Sequence, residues 1–213
     1  MKKIAILGCT GSIGRQTLAV VESLAEQFTV VGLAAGNNLE ELVPQVLRHR
    51  PEVVSVATAE LAGELRRRVA AGLEPGVRAP EILYGREGML AVGTHGSADI
   101  VVSAAVGVVG LEATYEAVKL GRTVALSNKE VLVAAGELVM AAAAKSGREL
   151  LPVDSEHNAV HQCLRAGRRQ PTAASPQLTA SDGGREIPRF EDSARNDGSF
   201  SQGEGKRKGS PQR

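Results

Sequence analysis

The chain has 213 residues, of which 43% are hydrophobic, and its 25 Lys and Arg nearly cancel 24 Asp and Glu to leave a formal net charge of +1. Such a balance gives no electrostatic reason to expect a nucleic acid or an anionic membrane as partner, and no segment approaches the ~20 apolar residues that cross a bilayer. Two cysteines, Cys9 and Cys163, make neither a disulfide framework nor a zinc spacing, and with aromatics at 2% and no Trp the core must be built from Val, Leu, Ile and Ala.

The start, Met1-Lys2-Lys3-Ile4-Ala5-Ile6-Leu7-Gly8, has a basic pair, but its apolar run is too short for a signal-peptide core and stops at glycine. A soluble protein of the reducing cytoplasm is the expectation. From there, short apolar runs alternate with amphipathic stretches. The pattern predicts a strand over 3–7, a helix over 13–27, a strand over 29–34, a helix over 39–49 and a strand over 53–56. It continues with a helix over 58–71, a strand over 82–84, a helix over 85–92 and a strand over 100–103. A helix over 111–120, a strand over 123–126, a helix over 129–145 and a strand over 149–152 complete the series, with Gly121 and Gly147 placed to end helices. Strands without polar alternation, interleaved with helices, predict an α/β fold with a doubly wound, mainly parallel sheet.

After Asn158 a helical pattern (Ala159, Val160, Cys163, Leu164) runs into Gly167-Arg168-Arg169-Gln170. Beyond it the composition changes: only eight residues between Gly167 and Arg213 belong to the hydrophobic set, among many Pro, Ser, Gly and Gln. A segment so poor in apolar area cannot offset its ordering entropy, so 171–213 is expected to be a mostly disordered tail, with Lys206-Arg207-Lys208 as solvated charge.

Three motifs carry chemistry. The first, Gly8-Cys9-Thr10-Gly11-Ser12-Ile13-Gly14, follows the first strand and opens a helix. Glycines permit a tight turn and close backbone approach, and the free N–H groups and positive dipole end of the helix suit a pyrophosphate. Its G-x-x-G-x-x-G spacing is not the commoner dinucleotide fingerprint, but the strand–turn–helix context is the required one. The end of the second strand, where a ribose is read, holds Gly36-Asn37-Asn38. The lack of an acidic residue there favours NADP over NAD, although no basic residue completes a 2′-phosphate site unless Arg15 reaches over.

The second motif, Ser127-Asn128-Lys129-Glu130, lies at the carboxyl end of a strand, where open α/β sheets hold ligands; its charges read equally as surface or capping residues. The third, Leu151-Pro152-Val153-Asp154-Ser155-Glu156-His157-Asn158, also follows a strand. In an extended segment Asp154 and Glu156 would project to one side, and paired carboxylates suit Mg²⁺ or Mn²⁺, although an isolated D-x-E is common in loops.

Together, in this order and spacing, the three motifs resemble the 1-deoxy-D-xylulose 5-phosphate reductoisomerase family across about residues 1–170. The resemblance implies a Rossmann-like NADPH domain over 1–150, the start of an incomplete metal and substrate domain over 151–170, and an activity. That activity is the NADPH- and divalent-metal-dependent isomerisation and reduction of 1-deoxy-D-xylulose 5-phosphate to 2-C-methyl-D-erythritol 4-phosphate in non-mevalonate isoprenoid biosynthesis. It places Thr10, Gly11, Ser12 and Ile13 at the pyrophosphate and Gly36, Asn37 and Asn38 at the adenosine phosphate, although family members often carry a basic residue in place of Asn37. Asn128 and Glu130 fall near the nicotinamide, and Lys129 on substrate as a catalytic group. Asp154 and Glu156 match metal ligands, with Ser155 and Glu156 also touching substrate and Glu156 counted as catalytic; His157 is expected to pack or cap a helix. The substrate is a phosphorylated sugar, and a homodimer is left open. A semialdehyde dehydrogenase would instead need a nucleophilic cysteine in mid-chain, and only Cys9 and Cys163 exist.

The match then fails. Leu178-Thr179-Ala180-Ser181-Asp182-Gly183-Gly184-Arg185 echoes a family segment in which Ser181 falls on a phosphate-binding serine, but the Pro-Phe pair after it is missing, and no later motif supplies the third metal carboxylate. A truncated or frameshifted reading of such a gene after about residue 185, with impaired turnover, is the expectation; a catalytically inactive NADPH-binding remnant is the alternative.

Overall fold

The computed structural model describes residues 1–168, so the expectations for Ser181 and for 171–213 lie outside the described residues. Strands β1 (Lys2–Leu7), β2 (Phe28–Ala34), β3 (Val53–Val56), β4 (Glu81–Tyr84), β5 (Ile100–Ser103), β6 (Thr123–Leu126) and β7 (Leu150–Pro152) form one sheet in the order β4-β3-β2-β1-β5-β6-β7, every pair parallel. Between them run helices α1 (Ser12–Ser23), α2 (Leu39–His49), α3 (Ala59–Gly72), α4 (Gly85–Gly93), α5 (Leu111–Lys119) and α6 (Glu130–Ser146), and α7 (Ser155–Arg168) follows the last strand.

Alternate residues of a strand enter opposite faces, with β2 changing phase at a register shift against β1 between Val30 and Gly32. Ile4, Ile6, Val30, Leu33, Val54 and Val56 pack beneath Leu18, Leu42, Val46, Leu65 and Val69 of α1, α2 and α3. Ala5, Leu7, Val31, Ala34, Val53, Val101 and Val124 pack beneath Val92, Ala113, Ala117, Val118, Val131 and Val139 of α4, α5 and α6. With both faces covered, the strands have no polar face, which is why their sequences do not alternate. The chain winds outward from β1 to the edge at β4, returns through α4 to β5 on the other side of β1, and winds outward again. The doubly wound parallel sheet read from the sequence is thus the observed fold.

Departures from the expected elements have local causes. Helix α1 stops at Ser23 rather than continuing to 27, because residues 22–27 have no core to cover, and Gln27 turns back on Leu24 (N–O 2.8 Å). Helix α6 is broken by a non-helical Ala135 (φ −143°), next to Gly136, a poor helix former. Helix α7 begins at Ser155, not after Asn158, because the Asp154 carbonyl already accepts the Asn158 N–H at 2.8 Å. Gly121 and Gly147 adopt the left-handed geometry expected of them, whereas Arg50 (φ 48°) ends α2 in that region without a glycine.

The turn after β1 has little tolerance. Gly8 has φ 89°, and a Cβ there would stand 2.5 Å from the Ala104 carbonyl oxygen; a Cβ on Gly14 would stand 2.5 Å from Cys9 Cα. Gly14→Ala is therefore expected to cost about 2–4 kcal/mol in chemical denaturation. Gly36→Ala, with no heavy atom within 4 Å of its Cβ position, should cost less than about 1 kcal/mol. Burial pushes the Cys9 thiol up to about 12, while Cys163 is exposed. Ellman's reagent at pH 8 should consequently titrate one thiol in the native chain and a second only after denaturation; two fast thiols would contradict the packing of Cys9.

Candidate functional site

Strand β1 delivers Leu7 to the sheet's carboxyl edge, and the chain reverses through Gly8 to Gly11. The N–H groups of Gly8 and Cys9 both donate to the Ala34 carbonyl at the end of β2 (2.8 and 3.0 Å), and that of Gly11 to the Gly8 carbonyl (3.2 Å). Helix α1 then starts from an extended Gly11 without a side-chain cap. The backbone N–H groups of Thr10, Ser12 and Ile13 have no oxygen acceptor among the described residues, that of Thr10 lying near the Cys9 sulfur. Unpaired donors at a positive dipole end form an anion-binding surface.

Facing this turn is the exit of β5, adjacent to β1, where the winding reverses. Here Asn128 is the organising residue. It is 6% exposed, its amide nitrogen donates to the carbonyls of Ala105 and Gly107, and its Oδ1 accepts the Glu130 N–H at 3.0 Å. One side chain therefore clamps the β5 loop and caps α6. A cleft of about 230 Å³ results, lined by Gly11, Ser12, Ile13, Ala104–Gly107, Ser127, Asn128 and Glu130. The structure thus brings together five residues singled out in the sequence for the cofactor, and Asn128 spends its polar atoms on the wall of the cleft.

On the far side of the loop, where Val106 is 88% exposed, a cavity of about 530 Å³ is lined by Ala35, Gly36, Val56, Ala57, Met89, Leu90, Val108 and Leu111. Arg86 and Glu112 also line it and pair with each other (Nε–Oε2 2.6 Å). Gly36 reaches this cavity; Asn37 is exposed, and Asn38 caps α2, its Oδ1 accepting the Glu41 N–H at 3.1 Å. Arg15 lines a different cleft, with Glu22, Glu40, Glu41 and Arg48 between α1 and α2, and is not among the residues lining the cavity at Gly36. Sequence reasoning missed Met89, Arg86 and the apolar loop Val106–Val109, since nothing local marks them: only the crossover of α4 carries Arg86 to the end of β2.

The third group sits one strand further out. Strands β6 and β7 pair with Leu126 opposite Pro152, and the Val153 N–H donates to the Leu126 carbonyl at 2.9 Å, so the second and third motifs leave the sheet side by side. Asp154 and Glu156 do meet, but not as alternate residues of an extended segment. Asp154 precedes α7 and Glu156 lies in its first turn, because helix formation starts at Ser155. The Glu156 carboxyl is pulled down to about 2, first by a hydrogen bond with Asp154, then by its own backbone N–H and the Ser155 hydroxyl (2.9 Å), with the Lys129 charge adding to this. It is ionised throughout the neutral range. His157 is more than half exposed, with Nδ1 3.8 Å from Asp154 Oδ1, so it stands against the acidic pair rather than in the core. The 700 Å³ cavity between α6 and α7 is mainly apolar and shares only Ser127, Lys129, Pro152 and His157 with these motifs.

Ionised carboxylate oxygens beside a hydroxyl are the donor type that Mg²⁺ or Mn²⁺ prefers. The set fits in chemistry and is short in number: among the described residues no third His, Cys, Asp or Glu joins the pair.

Residues 4–136 match the family model for 1-deoxy-D-xylulose 5-phosphate reductoisomerase. The chain is 50% identical over 183 residues to the protein of that name from Solibacter usitatus, covering 86% of this chain and 46% of that one. Against the namesake from Synechococcus sp. (strain CC9605) it is 46% identical over 194 residues, covering 86% and 47%. Among solved structures, a reductoisomerase in complex with NADPH, fosmidomycin and magnesium superimposes with a TM-score of 0.71 at 36% identity, over 76% of this chain and 39% of that one. The Zymomonas mobilis enzyme in complex with NADPH gives a TM-score of 0.70 at 36% identity, over 76% and 41%. The chain spans about half the length of the curated relatives it matches, and within that span it belongs to the 1-deoxy-D-xylulose 5-phosphate reductoisomerase family.

Proposed function

We propose that this chain supplies the NADPH site, and part of the metal and substrate site, of an NADPH- and divalent-metal-dependent conversion of 1-deoxy-D-xylulose 5-phosphate to 2-C-methyl-D-erythritol 4-phosphate. The observation that carries the reading is the convergence of the glycine turn and the Ser127–Glu130 motif on one cleft where the winding reverses between β1 and β5. Solved relatives bound to NADPH and to magnesium support the cofactor assignment.

In this reading Thr10, Ser12 and Ile13 receive the pyrophosphate on N–H groups that no carbonyl occupies, and Gly11, whose own N–H is held by the Gly8 carbonyl, lets the backbone approach it closely. Gly36, Asn37 and Asn38 stand at the adenosine ribose, and the apolar cavity beside Gly36 takes the adenine. Glu130 faces the nicotinamide end, and Asn128 acts there by holding the wall. Residues 1–150 serve the cofactor, and 151–170 open the metal and substrate region. Asp154 and Glu156 would hold Mg²⁺ or Mn²⁺, whose role is to polarise the substrate carbonyl and stabilise the oxyanion that develops on it. Lys129, exposed at the start of α6 and close enough to lower the Glu156 carboxyl, brings positive charge to the same place and contacts substrate along with Ser155. Ser181 is proposed for the substrate phosphate.

Two carboxylates without a third donor leave the metal site incomplete among the described residues. For the isolated chain the same observation favours the alternative, an NADPH-binding remnant without catalytic activity. NADPH fluorescence titration should show saturable binding, and Ser12→Glu, which sets a carboxylate against the pyrophosphate, should weaken it more than about 100-fold with an unchanged melting temperature. Mn²⁺ titrated into the NADPH-loaded chain and followed by water-proton relaxation should bind with a dissociation constant on the order of 1 mM, and Glu156→Gln should abolish that binding. With substrate and Mn²⁺ added, NADPH oxidation should run at least about 10³-fold below the rate of a full-length family member; a comparable rate would overturn the assignment of an incomplete site.

A further inference from the structure

Among the described residues few buried side chains are polar, and Gln45, in the middle of α2 and 8% exposed, is the one of these that reaches the glycine turn. Its Nε2 donates to the Cys9 carbonyl at 3.2 Å and lies 3.4 Å from the Glu41 carboxylate. Both neighbours are acceptors, so the amide has one orientation, nitrogen towards the turn. Its Oε1 is buried with no partner among the described residues. Gln45 lies on the stripe of Leu42 and Val46, where an apolar side chain would pack without burying an amide.

The bond acts on a particular peptide group. In a planar trans peptide the C=O and the following N–H point in opposite directions. Holding the Cys9 carbonyl towards α2 therefore aims the Thr10 N–H away from α2, and that N–H has no oxygen acceptor among the described residues, only the sulfur of Cys9 lying near it. The Cys9 N–H is already tied to the Ala34 carbonyl at 3.0 Å. We propose that Gln45 is a positioning residue for the pyrophosphate turn: it fixes the Cys9–Thr10 peptide so that an N–H, and not a carbonyl oxygen, faces the bound anion. Without it the carbonyl is a buried unpaired acceptor, free to rotate towards the cleft and repel the pyrophosphate. The inference rests on the NADPH reading given above.

The test compares two ligands on the full chain. NADPH carries the pyrophosphate; 2′-AMP carries the adenosine end alone. Gln45→Met keeps the shape and removes the donor. NADPH affinity should fall about tenfold, the scale of one hydrogen bond lost from a buried carbonyl. The 2′-AMP affinity should stay within about twofold, and the melting temperature should fall by only a few degrees, since losing the buried unpaired Oε1 offsets part of the cost of leaving the Cys9 carbonyl without its partner. Gln45→Leu, which also removes the donor and fits the stripe of Leu42 and Val46, should show the same split and serves if the Met variant does not fold. Val46→Ala, a core truncation on the same helix, should lower the melting temperature and leave both affinities in their original ratio. NADPH binding by Gln45→Met at the parent level would overturn the proposal, as would an equal loss for both ligands, which would mean a general shift of α2. Failure of the unaltered chain to bind NADPH would overturn the nucleotide reading itself, and is distinguishable because it precedes any substitution.

Discussion

Seven strands that all run parallel cannot be joined by hairpins, so every connection must cross a face of the sheet, and each strand must be apolar on both sides. From that constraint the rest follows. Three crossovers carry the chain outward from β1 on one face; on the other, α4 returns it to β5 and two more carry it outward, so the loops leaving β1 and β5 must part. Where they part, the ends of two helices face one cleft, and the carboxyl ends of β6 and β7 extend the same edge towards the acidic pair. The site is a consequence of covering both faces of a parallel sheet, not a separate construction added to it.

A cleft made by parting loops has walls of bare backbone, and the described residues show how those walls are kept in place. Backbone groups that no strand or helix satisfies are met by buried side chains: Asn128 on the carbonyls of Ala105 and Gly107 and on the Glu130 N–H, and Gln45 on the Cys9 carbonyl. In a core otherwise of Val, Leu, Ile and Ala these polar groups stand out, because each forgoes packing energy that an apolar residue would supply. Their shared location, around the ends of β1 and β5, ties that cost to the shape of the cleft.

Much of this was legible beforehand. The bounds of β3, β5, β6 and α2 agree with the sequence pattern because Val-rich runs bounded by turn residues, and an amphipathic stretch opened by Asn38, leave little choice. The glycine turn was legible because Gly8 and Gly14 admit no side chain. Less legible was the third motif. Asp154 and Glu156 were recognisable as a pair, but the reading of an extended segment failed, since Ser155 and Glu156 suit a first helical turn and the Asp154 carbonyl is free to accept the bond that starts it. Asn128 was legible as a cleft residue, but its hold on the loop carbonyls was not, because an exposed loop amide and a buried one are identical in sequence.

What the sequence determined by itself was the local physics: which stretches must be strands with two apolar faces, where helices begin and end, where only glycine fits, and which motifs carry charge towards a ligand. The order of the strands, the pairing of Arg86 with Glu112, the hold of Asn128 on a loop more than twenty residues earlier and that of Gln45 on Cys9 were decided only by the tertiary structure. The reason is that these depend on which elements become neighbours once both faces of the sheet are covered, and a side chain's partner across such a distance leaves no trace in local spacing.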